Sequence, residues 1–187
     1  MNKPLAFGLA VVVLTVVIAV LTRDTDEAEV SFDALNATFE VECMDDVGPV
    51  PFVDGEWASD VFDDIGRSSH YAWINDTQVA ELVNDSPGPE VAVEIVCNWG
   101  GSHSTFEVQV FAGNSSKATR LGQVLHGQLE WADGSRSVVQ TNQRRWMPSD
   151  PHCCPSKFVL TNYEWADDRW VETSSEVWAK ESETSGS

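Results

Sequence analysis

Pro89-Glu90-Val91-Ala92-Val93-Glu94-Ile95-Val96-Cys97-Asn98-Trp99-Gly100-Gly101 is the stretch that sets the fold class. Val91, Val93, Ile95 and Cys97 alternate with Ala92, Glu94 and Val96, a period of two that predicts a half-buried strand. Gly100-Gly101 turns the chain into a second strand, where Phe106, Val108 and Val110 alternate with Glu107 and Gln109. Downstream, Gly113-Asn114-Ser115-Ser116 reads as the next turn. Leu129 and Trp131 then run into Asp133-Gly134, a dipeptide suited to a type I′ hairpin because both central residues need positive φ. Val138 and Val139 fall on the return strand. Val159, Thr161, Tyr163 and Trp165 alternate again, Asp167-Asp168 turns, and Trp170-Val171 comes back. Two identical tetrapeptides, Glu130-Trp131-Ala132-Asp133 and Glu164-Trp165-Ala166-Asp167, thus end strands at acidic turns. No fixed period covers the chain, so they are two hairpins and not a repeat architecture.

Upstream of Pro89 the pattern is helical. Ser31 is placed to cap a short helix carrying Phe32, Leu35 and Phe39, with a strand through Val41 to Cys43 as the alternative. Residues 44–55 read as loop. Trp57, Val61 and Ile65 are spaced by four and stop at Gly66. Asn75 or Asp76 is a candidate cap for a helix through Val79, Leu82 and Val83, ended by Ser86-Pro87-Gly88-Pro89. The expected fold is therefore mainly β (α+β): an antiparallel sheet of about six or seven strands with two or three short helices and two disulfides.

Met1-Asn2-Lys3 precedes seventeen uncharged residues, Leu5 to Leu21, and Asp24, Asp26, Glu27 and Glu29 follow with Arg23 the lone cation among them. That asymmetry puts the N-terminus inside and the rest outside. No cysteine for lipidation and no small-x-small cleavage site end the run. It reads as an uncleaved signal anchor, with a cleaved signal peptide and secretion as the alternative. The expected organisation is a membrane segment over 1–22, an acidic linker over 23–30, an extracytoplasmic domain over 31–173 and a disordered tail over 174–187.

The chain carries a net charge of −19, and beyond residue 22 ten cations face thirty carboxylates. That balance argues against nucleic acid and anionic lipid as partners, since phosphate contact needs clustered Lys and Arg. Hydrophobic content of 42% with eight Trp and eight Phe is enough for a core and excludes an acidic disordered chain.

Four cysteines outside a membrane read first as disulfides. Cys153 and Cys154 are neighbours in Asp150-Pro151-His152-Cys153-Cys154-Pro155-Ser156. A bond between neighbours closes a strained ring and cross-links nothing distant. The expectation is two long bridges, one from each member of the pair, to Cys43 and Cys97 in an order the sequence leaves open. A metal held by His152, Cys153, Cys154 and Cys97 or His103 is the lesser reading, because adjacent residues ligate one tetrahedral ion poorly.

Asp150, Pro151, Cys153, Cys154, Pro155 and Ser156, followed by Tyr163-Glu164-Trp165 and Trp170, with Cys97 ending a strand beside a glycine pair, also carry a likeness. Over about residues 90–171 the chain resembles the exported LppP/LprE-type lipoproteins and related envelope proteins of actinobacteria. The lipidated cysteine of that group is absent. The resemblance implies an extracytoplasmic location and a shape, and no activity.

Candidate chemistry is thin. His70, His103, His126 and His152 sit in polar, turn-like contexts, and a dyad with Ser104, Ser135 or Ser156 has no surrounding signature to support it. Asp45-Asp46, Asp60-Asp63-Asp64 and Asp167-Asp168 lack calcium-loop spacing. Trp99 and Trp146 lie beside loops and are candidates for exposure and sugar stacking. Seven of the eleven cations fall between Lys117 and Arg169, including Arg144-Arg145 beside Trp146. These are expected to pair with Glu130 and Glu164 across strands, with an anionic-ligand site as the alternative. The reading is a membrane-anchored, non-enzymatic binding module without cofactor or metal, for an envelope glycan or protein. A cell-envelope hydrolase is the alternative.

Overall fold

Glu90–Asn98 is buried along its whole length apart from Asn98, so the strand that anchors the fold is covered on both faces and not on one. The computed structural model describes residues 32–44, 47–60, 69–84, 86, 88–100, 104–113, 118–151 and 154–179. Strands β1 (Thr38–Glu40) and β2 (Pro49–Pro51) form a two-stranded ribbon. Strands β3 (Glu56–Ala58), β4 (Tyr71–Ala80), β5 (Glu90–Asn98), β6 (Ser104–Ala112) and β7 (Thr119–Arg120) lie in sequence order in the first large sheet, and β8 (Leu125–His126) also pairs with β6. The second sheet holds β9 (Gln128–Asp133), β10 (Val138–Arg145), β11 (Lys157–Ala166) and β12 (Arg169–Ala179), again in order. Every pairing is antiparallel.

The period of two in β5 divides the core. Val91, Val93, Ile95 and Cys97 enter a cluster with Phe39, Met44, Val50, Phe52 and Phe111. Ala92, on the other face, joins Leu82, Val108, Val110, Leu125, Leu129, Val139 and Trp170 between the two sheets. Glu94 shares that inner face and is 1% exposed. Its carboxylate accepts from Asn75 Nδ2 and from the backbone N–H of Leu129 on β9. Glu107 accepts from Cys43 N and Gln109 Nε2, and Glu90 accepts from Leu82 N and Val83 N. Burying a carboxylate costs several kcal/mol unless it is hydrogen-bonded. Each of these three is, and each ties a neighbouring segment to the first sheet. Burial pushes the Glu94 and Glu107 carboxyls above the usual range.

Several expectations are corrected. Among the described residues there is no α-helix, only the 3-10 turns Ala34–Asn36 and Glu42–Met44. Phe39 lies on β1, Trp57 on β3, and Asn75 to Val79 on β4; Val61, Ile65 and Gly66 lie outside the described residues. Cys43 bonds Cys97 across a separation of 54 residues, so neither long bridge to the loop pair forms. Cys154 is itself disulfide-bonded but reaches neither distant cysteine, and Cys153 lies outside the described residues. Closing a loop of that length is worth about 4 kcal/mol in the chain-entropy model. Its structural effect is to clamp the Glu42–Met44 turn onto the end of β5. Strand β12 continues past Thr173 to Ala179, so the expected tail boundary falls inside a strand. No helix among the described residues is long and apolar enough to cross a membrane, and the segment 1–22 lies outside them.

The turns also differ from expectation. Asp133 pairs with Val138, leaving a four-residue loop whose left-handed residue is Ser137 at φ 54°. A type I′ pair is found instead at Asp167 and Asp168, with φ 51° and 58°.

Candidate functional site

The corner between the two sheets builds the site. Strands β8 and β9 are one run of chain broken only by Gly127, pairing first with β6 and then with β10. A strand that changes sheets needs a bend, and Gly127 supplies it at φ +116°. Its N–H donates to Phe106 O at 3.0 Å. A Cβ there would lie 2.9 Å from Asn142 O, so no other residue fits. Beside this close approach lies an open groove of about 190 Å³, with Ser104, Phe106 and His126 on one side and Asn142, Arg144 and Trp146 on the other.

Arg144 lies over the Phe106 ring, Cζ to centroid 5.4 Å, a cation–π contact that holds a guanidinium at an exposed rim. Trp146 is 43% exposed. It enters a loop organised by Asp150, whose Oδ2 accepts from Met147 N and Ser156 N, both at 2.8 Å. Those two N–H groups hold the Asp150 carboxyl below the usual carboxylate range. Asp150, bonded to Met147 and Ser156, thus fixes where the chain leaves Trp146.

Of the four residues singled out for ligand binding, Trp146 and Arg144 meet here and Arg145 and Trp99 do not; His126 and Ser104 also line the groove. Arg145 follows Arg144 on the opposite face of β10, directly across from Lys157. Trp99 is 46% exposed at the end of β5 and packs edge-on against His70, 5.0 Å between centroids. Among the described residues the expected charge pairs with Glu130 and Glu164 are not formed. Glu130 accepts from Asn142 Nδ2 at 2.8 Å, Glu164 faces Val138, and among the described residues the ion pairs are Arg120–Glu42 and Arg136–Asp133.

The imagined dyads also fail for the two described histidines. Ser104 Oγ accepts from Asn98 Nδ2 and Ser135 Oγ donates to Asp133. His126, in register with Glu107, lines the same groove as Ser104, but no hydrogen bond joins the two. His70 Nδ1 instead meets the hydroxyl of its neighbour Ser69 at 2.7 Å. His103 and His152 lie outside the described residues, and among those described no group of His, Cys, Asp and Glu is arranged to hold a metal.

Phe106, Gly127 and Asn142 were not visible as site residues. A lone glycine between Leu125-His126 and Gln128-Leu129 is the one available signal, since glycine inside a strand pattern marks a bend or a close approach. No protein-family model, curated protein or solved structure matches the chain.

Proposed function

We propose that the protein is an extracytoplasmic, membrane-anchored binding module, non-enzymatic, whose groove at Gly127 takes a saccharide unit of the cell envelope. The observation that carries this is Arg144 held on Phe106 beside the half-exposed Trp146, around an open depression. An aromatic face stacks on the apolar side of a sugar ring while guanidinium and amide groups take its hydroxyls. The membrane-and-acid asymmetry of residues 1–29 and the resemblance to exported actinobacterial envelope proteins support the location.

Calorimetric titration of the full-length protein in detergent, with disaccharides released from the source organism's envelope, tests it. Trp146→Ala should weaken binding about three- to tenfold, the worth of one aromatic contact. An unchanged affinity would overturn the groove. The Ser69–His70 contact is the specific observation favouring a hydrolase. Turnover of envelope polymer that Ser69→Ala abolishes would establish that reading in place of ours.

A further inference from the structure

We infer that the outer face of the second sheet is a platform for an extended neutral glycan strand, continuous with the groove at Gly127. This rests on the groove reading and adds the size and charge of its ligand.

Successive side chains of a strand point to opposite faces. Val139, Thr141 and Thr161 are buried, which turns Gln140, Asn142, Arg144, Phe158, Leu160 and Asn162 to the other face, covered only at its Val138 end among the described residues of β10. Register arranges these in rows across the strands. In one, Arg144 faces Phe158, which faces Trp178, so the cation already at the groove begins an aromatic row that ends in a ring 53% exposed. Two strand spacings separate its ends, about 10 Å.

A parallel row is a chain of polar groups. Gln140 Nε2 donates to Asn162 Oδ1 at 2.8 Å, and Asn162 Nδ2 donates to Ser174 Oγ at 2.7 Å. Side chains tied to one another in this way are held in fixed orientation, and their remaining donors and acceptors match hydroxyl groups, which both give and accept.

The same face chooses among partners. Glu130, bonded to Asn142, and Glu176, in register with Leu160 beyond Asn142, place carboxylates beside the polar rows. They repel an acidic polymer or an anionic lipid surface, whereas they accept neutral hydroxyls. Position agrees. The first described residue, Phe32, packs on Phe111 with 5.2 Å between centroids. That is five residues along β6 from Phe106, about 17 Å, so the chain enters the domain away from the platform.

The test is length dependence. Full-length protein in detergent is titrated with disaccharide and hexasaccharide fractions of the neutral polysaccharide from the source organism's envelope. The hexasaccharide should bind at least about tenfold more tightly. Trp178→Ala and Phe158→Ala should each remove about three- to tenfold of the hexasaccharide affinity and leave the disaccharide unchanged. Val177→Ala, on the opposite face and 51% exposed, should change neither. Equal affinity for the two lengths, indifference to Trp178→Ala, or a preference for the acidic fraction or for phosphatidylglycerol vesicles would overturn the platform. Failure of the groove itself is distinguishable, because it appears as a disaccharide that Trp146→Ala does not affect.

Discussion

Glu130-Trp131-Ala132-Asp133 and Glu164-Trp165-Ala166-Asp167 are the same four residues, and the protein folds them into different turns. In the first, Asp133 remains in the strand opposite Val138, and its carboxylate caps the loop by accepting from Ser135 N and Oγ. In the second, Ala166 pairs with Arg169, and Asp167 itself occupies the left-handed region with Asp168. Surroundings decide it. The first hairpin is fastened to the first sheet by Leu129 N on Glu94, by Ala132 N on Gln78 and by Gly134 against Glu81. The second is held at Trp170, whose ring packs against Trp165 with 5.1 Å between centroids and donates from Nε1 to Leu121 O, and whose backbone N–H and C=O are both bonded by the Gln123 amide. A tetrapeptide sets a strand end; what the hairpin packs against sets the turn.

The hardest test of this contrast is to remove the tryptophans. Trp170 is 2% exposed, so Trp170→Ala should cost about 3–5 kcal/mol, the usual range for a buried Trp. Trp131, half-buried opposite Gln140, should cost about 1 kcal/mol. Urea midpoints measure both, and equal losses would mean the two hairpins are held alike. Next comes Gly134. Its need is not positive φ, since a Cβ there would lie 2.7 Å from Glu81 N. Gly134→Asn, which a type I′ turn would accept, should therefore destabilise by roughly 1–3 kcal/mol, and Gly134→Val should do the same. A tolerated Asn would restore the turn expected from the sequence.

How much could be read in advance follows the same division. From Pro89 onward the period of two gave β5, β6 and β9 to β12, because each is long enough to repeat its pattern; β7 and β8, with two residues each, were missed. Upstream it misled. β1, β2 and β3 have three residues each, too few to show alternation. In β4 the register shifts between Ile74 and Asp76, so the alternation breaks where Asn75-Asp76 resembles a helix cap. Val79, Leu82 and Val83 then fall at helical spacing by accident of a strand running into a loop. The polar run from Thr173 to Glu176 looked unstructured, yet β12 is held by backbone pairing and by Asn162 contacts that composition does not reveal. At the candidate site, Trp146 and Arg144 were legible as exposed residues beside a loop. Phe106 and Asn142 were not, since only the corner at Gly127 brings β6 and β10 together.

A smaller effect with the opposite sign is expected at the second turn. Asp168 holds φ 58°, a conformation that costs an L-residue about 1–2 kcal/mol and glycine almost nothing. Glycine also loses more freedom on folding. Asp168→Gly should therefore stabilise by about 0.5–1 kcal/mol. Ser137→Gly tests the single left-handed residue of the first loop in the same way. A loss of stability in Asp168→Gly would show that its side chain, and not its backbone, makes the turn.

The smallest effect separates the two ends of the first hairpin by pH. The Ser135 hydroxyl and N–H hold the Asp133 carboxyl below its usual range, so its folded pKa lies under the unfolded value near 3.8. That contribution is present above the unfolded value and is lost as pH falls through the folded one. Glu94 is the reverse case: burial raises it above 4.5. Its ionisation weakens the fold, so the stability linked to its proton is full below 4.5 and is lost as pH rises through the elevated value. On acidification from neutrality, Glu94 should take up its proton first, with a gain in stability, and Asp133 last, with a loss. Carbon-13 carboxyl titration should resolve this order site by site. Ser135→Ala should move Asp133 toward ordinary behaviour and leave Glu94 where it was, whereas Glu94→Gln should remove the upper arm alone. If Asp133 titrated before Glu94, the loop cap and the buried staple would not be the separate fastenings that distinguish this hairpin from its twin.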